Sequence, residues 1–304
     1  MRGRKLKDLF LLALIDLAAF LSVFLLAGIM ISIFVRGFPA VSGTFLTTVS
    51  SILHGTVGIA GNIVNTMYII VLTLLIAVPV GVGAAVWMNE YAGRGRLVRI
   101  IEFATETLAG IPSIVFGLFG MMFFGTTLGF GYSILTGALT LTIMILPLIT
   151  RNAQEALRAV PDGYREGAIG LGAGRWHMIR TILLPAARPG ILTGVILAVG
   201  RIVGESAALL FTAGSGYLLP RGGMGLLRKI TESGGTLAVQ LYLSMSKAQY
   251  DVAFGIAAVL LCMIMLVNFI VDILVSRMGE RSEPKGLLFF IVCVFVVSIH
   301  TTNM

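Results

Sequence analysis

Six stretches of this chain are apolar for about the length of a membrane-crossing helix, and this limits its fold more than any other feature. They run over about 9–35, 63–88, 101–125, 131–150, 190–212 and 251–275. A helix of about 20 mostly apolar residues crosses the hydrocarbon core, and inside lipid only helices and closed barrels satisfy every backbone polar group. Of the 304 residues 57% are hydrophobic and 12% charged. That charge is too sparse to cover the surface of a soluble domain of this length. The expected fold is an all-α, polytopic membrane helix bundle with six transmembrane helices. A seventh apolar run, Leu287 to Ile299, is short for a span. It reads equally as an interfacial tail, a short tilted helix or an oddity of the chain end.

Orientation is read from lysine and arginine, which are enriched in cytoplasmic loops. Arg2, Arg4, Lys5 and Lys7 precede span one, and Arg94, Arg96 and Arg99 follow span two. Arg151, Arg158, Arg165, Arg175, Arg180 and Arg188 occupy the loop after span four, and Arg277, Arg281 and Lys285 follow span six. These segments share one side. The other side has Arg36, Arg221, Arg228, Lys229 and Lys247. The excess places the N-terminus and the 151–188 loop in the cytoplasm, with loops 36–62 and 213–250 outside. The net charge of +8 thus reads as membrane orientation, and no nucleic-acid partner is expected.

Leu9 to Val35 is too long for a signal-peptide core and no small-x-small cleavage pattern follows, so it is expected to stay as the first span. Cys262 and Cys293 lie in apolar segments without ligand spacing and read as small hydrophobes. His54, His177 and His300 are scattered, so no metal set is expected. Asp16, inside span one, reads as a satisfied packing or pairing group. Glu102 and Glu106 read as solvated or paired with nearby arginines. Pro79 with Gly81 and Gly83, Pro112 and Pro147 weaken spans in ways a bundle tolerates. Span five carries two GxxxG pairs, Gly190/Gly194 and Gly200/Gly204, a spacing that permits close helix approach. The Gly214–Gly235 region reads as an outer loop, with no helix N-terminus to make it a phosphate cradle.

The most specific signal lies in the long cytoplasmic loop. Glu166 to Pro185 reads EGAIGLGAGRWHMIRTILLP. Gly172 permits a tight turn. Trp176, Met178 and Ile179 supply apolar anchors for a partner groove, Arg175 and Arg180 supply rim charge, and Pro185 is expected to end the element before span five. The run resembles the EAA loop of importer-type ABC permeases: EAA, three residues, G, nine residues, I-x-L-P. Glu166, Gly172, Ile182, Leu184 and Pro185 fall on its anchors, with Gly167 in place of the usual alanine. Glu155-Ala156 lacks the downstream spacing. The resemblance implies a coupling loop, 155–187, docked on a separate ATPase dimer. No GxxxxGK[ST] phosphate loop occurs, so no cofactor is expected here and ATP is expected on the partner ATPase. The chain is therefore expected not to be an enzyme.

Span five also contains Arg201-Ile-Val-Gly-Glu205-Ser206. A straight helix over Gly190–Phe211 would set Arg201 near mid-bilayer, where a charge costs about 2.5–3.5 kcal/mol on insertion scales. Four residues apart on one helix face, Arg201 and Glu205 could pair with each other or across subunits. The planar guanidinium fork suits an oxyanion, and a pair that only locks helix packing is the rival reading. GILTGVILAVGRIVGESAALLFTAG (190–214) and ETLAGIPSIVFGLFG (106–120) resemble the phosphate permeases, A-type subunit. The likeness covers about 60–275, with Ser206-Ala-Ala208 where the family commonly has Thr-Ala-Pro. It implies a type I ABC importer permease with a MetI-like core over 61–275, flanked by 1–60 and a 276–304 tail. It further implies a phosphate pathway at Arg201 and Glu205, a C-type permease partner, an ATPase dimer and an extracytoplasmic phosphate-binding protein, in the bacterial inner membrane. The alternatives are a permease for another oxyanion (molybdate, sulfate or phosphonate), an intramembrane enzyme, for which no nucleophile set is visible, and a regulatory membrane subunit.

Overall fold

A computed structural model describes residues 2–51, 56–93, 95–219 and 225–277. The Leu287–Ile299 run, Arg94, Arg221, Arg281, Lys285, His54, His300 and Cys293 lie outside the described residues. The elements, in order, are α1 (Arg2–Gly37), α2 (Gly43–Thr47), a small antiparallel hairpin of β1 (Val49–Ser51) and β2 (Thr56–Ile59), and α3 (Ala60–Val86). Then come α4 (Arg96–Ala109), α5 (Ser113–Gly120), α6 (Ile134–Arg158), α7 (Asp162–Gly170), α8 (Arg175–Met178) and α9 (Leu184–Gly204). The last are α10 (Ala207–Thr212), α11 (Gly225–Arg228), α12 (Leu237–Ser246) and α13 (Tyr250–Arg277). Five helices are long and apolar enough to cross a membrane, or six if the bent pair α4–α5 is one span.

The centre is α6, started by Ser133, whose hydroxyl accepts the Thr136 amide at 3.1 Å. A serine cap of this kind satisfies an otherwise orphaned first-turn donor. Helix α3 lies along one side of α6 and α9 along another. Ile69, Leu141, Ile145, Ile149, Ile202 and Leu209 share the main core and are essentially fully buried. A second core, Val86, Leu157, Met178, Ile179 and Leu183 among others, fills the end of the bundle rich in arginine, called here the basic end.

Three spans differ from the sequence expectation. The expected 101–125 span bends by 102° between Ala109 and Ser113. Pro112 has an extended ψ of 139°, and its ring disfavours helix at the residue before it. The fourth span does not stop at 150 but runs on to Arg158. The fifth begins far earlier, since the chain is helical from Arg175 to Gly204. Pro185 therefore does not end an element. A π turn over Ile179–Leu183 relieves the clash with the carbonyl four residues back that a proline brings to an α-helix. That span also stops at Gly204, before the expected 212.

The 213–250 segment is more than a loop. Thr236 caps α12 by accepting the Val239 amide, and Leu237, Ala238 and Val239 are buried. Asn62 and Asn65 of α3 donate to the Gly235 and Gly216 carbonyls, both at 2.9 Å. The Leu237 amide donates to Thr66 Oγ1 at 3.0 Å. Helix α1 is held at its far end, where the Arg36 guanidinium lies 5.4 Å from the Phe254 ring centre. Asp16 is exposed and has no hydrogen bond or ion pair among the described residues, so its expected partner is not found among them. Glu102 and Glu106 pair with Arg158 and Arg151 at 3.0 and 3.4 Å, as the sequence led us to expect.

The two GxxxG pairs separate. A Cβ added at Gly190 would stand 2.5 Å from the Ala156 Cβ, and one at Gly194 2.6 Å from the Asn152 Cβ. Added at Gly200 or Gly204 it would meet nothing within 4 Å. The first pair is the α6–α9 contact, and the second lies on an open face. Gly194→Ala is expected to lower the stability of the detergent-solubilised chain by about 1–3 kcal/mol through overpacking. Gly200→Ala is expected to leave it unchanged or raise it by about 0.5–1 kcal/mol. Thermal unfolding of the two variants side by side checks this. Equal melting points would contradict the assigned contact.

Candidate functional site

Helix α9 runs antiparallel to α6. The Gly190–Ala156 and Gly194–Asn152 contacts fix the register, because each residue onward along α9 meets one residue back along α6. Arg201 thereby comes level with Ile145, in the middle third of α6. Its side chain is exposed on the open face of Gly200 and Gly204, with Leu197 (52% exposed) a turn away. No acceptor bonds it among the described residues. A bare guanidinium at mid-bundle depth is costly unless an acceptor from outside the chain meets it.

Of the two pairings left open, the one between Arg201 and Glu205 within the chain does not form. It presumed a helix continuous through both residues, but α9 ends at Gly204 and Glu205 is extended, with φ −79° and ψ 117°. Glu205 Oε1 instead accepts the Ala208 amide at 3.0 Å. It caps α10, as carboxylates do at the positive end of a helix. Helix α10 packs on α5 and α6: an added Cβ at Gly117 would be 2.9 Å from Ala208 Cα, and one at Gly137 2.9 Å from Ala213 Cβ. Glu205 thus sets a break immediately after the turn that carries Arg201.

At the basic end, residues 162–185 form a helix, a turn and a second helix. Gly172 has φ +80°. Its amide donates to the Ile169 carbonyl at 2.9 Å, and the Ala173 amide to the Ala168 carbonyl at 3.0 Å. This is a Schellman closure of α7, which needs a left-handed residue at that position and favours glycine strongly. Ala168, 4% exposed, packs with Ala173 on the second core, so this small residue ahead of the glycine also has a structural reason, whereas a Cβ added at Gly167 would meet nothing within 4 Å.

The expected docking anchors divide. Trp176 is 61% exposed and Arg175 and Arg180 are exposed, but Met178 and Ile179 are buried in the second core. They are not available to a partner, because they share with Ile182 and Leu183 the helix face that packs into that core, while Trp176 and Arg180 face away from it. Ile182 and Leu184 pack against the same core, Pro185 is half-buried and Glu166 is exposed. Leu171, at 91% exposed, was missed, as were Ile169 (58%) and Tyr164 (55%). An apolar residue directly before a turn glycine was the available signal. Leu171→Ser with Trp176→Ser is expected to leave the melting point of the isolated chain within about 0.5 kcal/mol of stability. The pair is expected to weaken ATPase association by at least about 2 kcal/mol. Co-purification with the ATPase tests this, and full retention would show that the docking face lies elsewhere.

Residues 77–282 match the family model described as the binding-protein-dependent transport system inner membrane component. The chain belongs to that family. This inner membrane component is 42% identical over 212 residues to the probable ABC transporter permease protein YqgI of Bacillus subtilis, covering 70% of this chain and 72% of that one. It is 36% identical over 210 residues to the phosphate transport system permease protein PstA of Pasteurella multocida, covering 69% and 75%. The Mycobacterium leprae PstA is 38% identical over 211 residues, covering 67% and 66%. Among solved structures, a bacterial alginate ABC transporter in complex with a pentasaccharide-bound periplasmic protein aligns over 90% of this chain and 96% of that one. Its TM-score is 0.67 at 16% identity. The inward-facing MetNI methionine ABC transporter aligns over 73% and 95%, with TM-score 0.56 at 21% identity. At such identities the likeness is one of fold, and that fold is the type I ABC importer permease.

Proposed function

We propose that this inner membrane component is the A-type permease subunit of an ATP-driven phosphate importer. The observation that carries the reading is Arg201: an arginine without a partner among the described residues, at mid-bundle depth, on a face opened by Gly200 and Gly204. Its planar fork offers two parallel donors to a phosphate. The PstA relatives support the substrate. Glu205 acts by breaking the helix after Arg201 rather than by neutralising it. A C-type permease covers the open face of α9 and completes the pathway. An extracytoplasmic phosphate-binding protein delivers to the side opposite the basic end. The basic end and the N-terminus face the cytoplasm, where an ATPase dimer binds ATP and docks on residues 162–185. Closure of that dimer pulls the segment and alternates the access to Arg201.

The test is uptake of labelled phosphate at low external concentration in the host, with the gene deleted and then restored. Loss on deletion and rescue by the wild type are expected. Undiminished uptake after deletion, in a host with no second phosphate importer, would leave a permease for another oxyanion.

A further inference from the structure

Arg165 of α7 uses all five of its donors. Nη2 donates to Glu90 Oε1 at 3.0 Å and to the Leu157 carbonyl at 2.8 Å. Nη1 donates to the Val160 carbonyl and to Asp162 Oδ1, both at 3.0 Å. Nε reaches Glu90 Oε1 at 3.3 Å. The Arg165 side chain is 19% exposed and that of Glu90 7%. Three stretches therefore meet on one side chain: the turn that follows α3, the last turn of α6 with the residues just beyond it, and α7. A cation at those carbonyls also answers the negative end of α6.

Glu90 sits in a π turn, Trp87–Tyr91, closed by the Ala92 amide on the Trp87 carbonyl at 2.9 Å. The neighbouring Asn89 donates to the Gln154 carbonyl of α6 at 3.1 Å. The turn is thus fastened to α6 by one side chain and to α7 by the next. Beyond it opens a cleft of about 830 Å³ lined by Glu90, Arg99, Glu102, Arg158 and Arg165 among others. The other attachment of residues 162–185 is the apolar second core around Ala85, Val86, Ala168, Met178 and Ile179. Apolar packing resists separation, yet it is non-directional and fixes sliding weakly. A charge-assisted fork is directional and fixes register.

We infer that Arg165 is a positioning residue that locks the ATPase-docking segment to the basic ends of α3 and α6, so that displacement of the segment moves both helices. This rests on the reading of residues 162–185 as the docking segment. Without the lock the segment follows the ATPase while α3 and α6 lag, and hydrolysis separates from transport. Lysine keeps the charge but has three donors and no planar fork, so it does not substitute.

The experiment uses the whole complex, with its partner permease, ATPase dimer and phosphate-binding protein, reconstituted in vesicles. Wild type, Arg165→Lys, Glu90→Gln and the double variant are compared for retained ATPase, for hydrolysis, and for labelled phosphate imported per ATP. The expected result is wild-type ATPase retention with at least a tenfold drop in phosphate imported per ATP in each single variant. Hydrolysis is expected to lose its response to the binding protein, and the double variant to be no worse than the worse single, because both remove one shared interaction. A wild-type ratio in Arg165→Lys overturns the inference. So does a parallel fall of retention, hydrolysis and transport, which is the mark of a purely structural pair, and so does an additive double variant. A wild-type complex that fails to hold the ATPase removes the docking reading and this inference with it. A wild type that imports a different oxyanion overturns only the phosphate assignment, and the ratio is then read on that anion.

Discussion

Arg201→Gln is expected to abolish phosphate uptake while the complex still assembles. Glutamine keeps a polar group at the site but removes the charge and the fork. Loss of a charge-assisted, desolvated contact of this kind costs about 2–5 kcal/mol, or about thirtyfold to several-thousandfold in rate or affinity. The chain itself should tolerate the change well. Arg201 is exposed and makes no bond to its own fold among the described residues, and removing an unpaired charge from mid-bundle depth relieves an insertion cost. The measurement is uptake normalised to complex recovered from the membrane. Normal uptake with normal recovery would return Arg201 to a packing role.

The second large effect is expected at Gly172. Its φ of +80° means that any side chain is strained by about 1–2 kcal/mol, though a Cβ there meets nothing within 4 Å of the chain's own atoms. Within the chain, Gly172→Ala and Gly172→Asp should therefore cost nearly the same, with aspartate the milder of the two because it tolerates the left-handed region better. In the assembled complex they should differ. If the ATPase covers this turn, aspartate buries a new charge against it, at a penalty of several kcal/mol, and association or coupling is lost. Alanine should retain most of both. Melting of the isolated variants, beside ATPase co-purification, separates strain from docking. Equal behaviour in the complex would mean that nothing covers the turn.

Much of the bundle was legible because bilayer thickness sets a length that apolar runs either reach or do not. Spans 9–35, 63–88 and 251–275 correspond to α1, α3 and α13. The breaks were harder. Pro112 was visible as a weak point, but not that the chain would turn by 102° there. The stop after Gly204 has no proline at all, and depends on Glu205 preferring the Ala208 amide to Arg201. Helix α12 was missed because ten residues fall below the length of a span. In the 162–185 segment the spacing identified the glycine correctly, since Schellman geometry is a local property of the backbone. It misassigned Met178 and Ile179, because an apolar residue on a helix serves the chain's own core as well as a partner groove, and the spacing does not say which face packs inward. The Arg165–Glu90 pair joins residues 75 positions apart, a distance at which spacing within one sequence carries no signal.

The most direct measurement is substrate-dependent import by the purified complex in vesicles, with labelled phosphate, sulfate and molybdate offered separately to the binding-protein side and ATP to the other. The account predicts ATP-driven accumulation of phosphate alone, lost in Arg201→Gln. Accumulation of sulfate or molybdate in preference to phosphate, or phosphate import undiminished in Arg201→Gln, would contradict it.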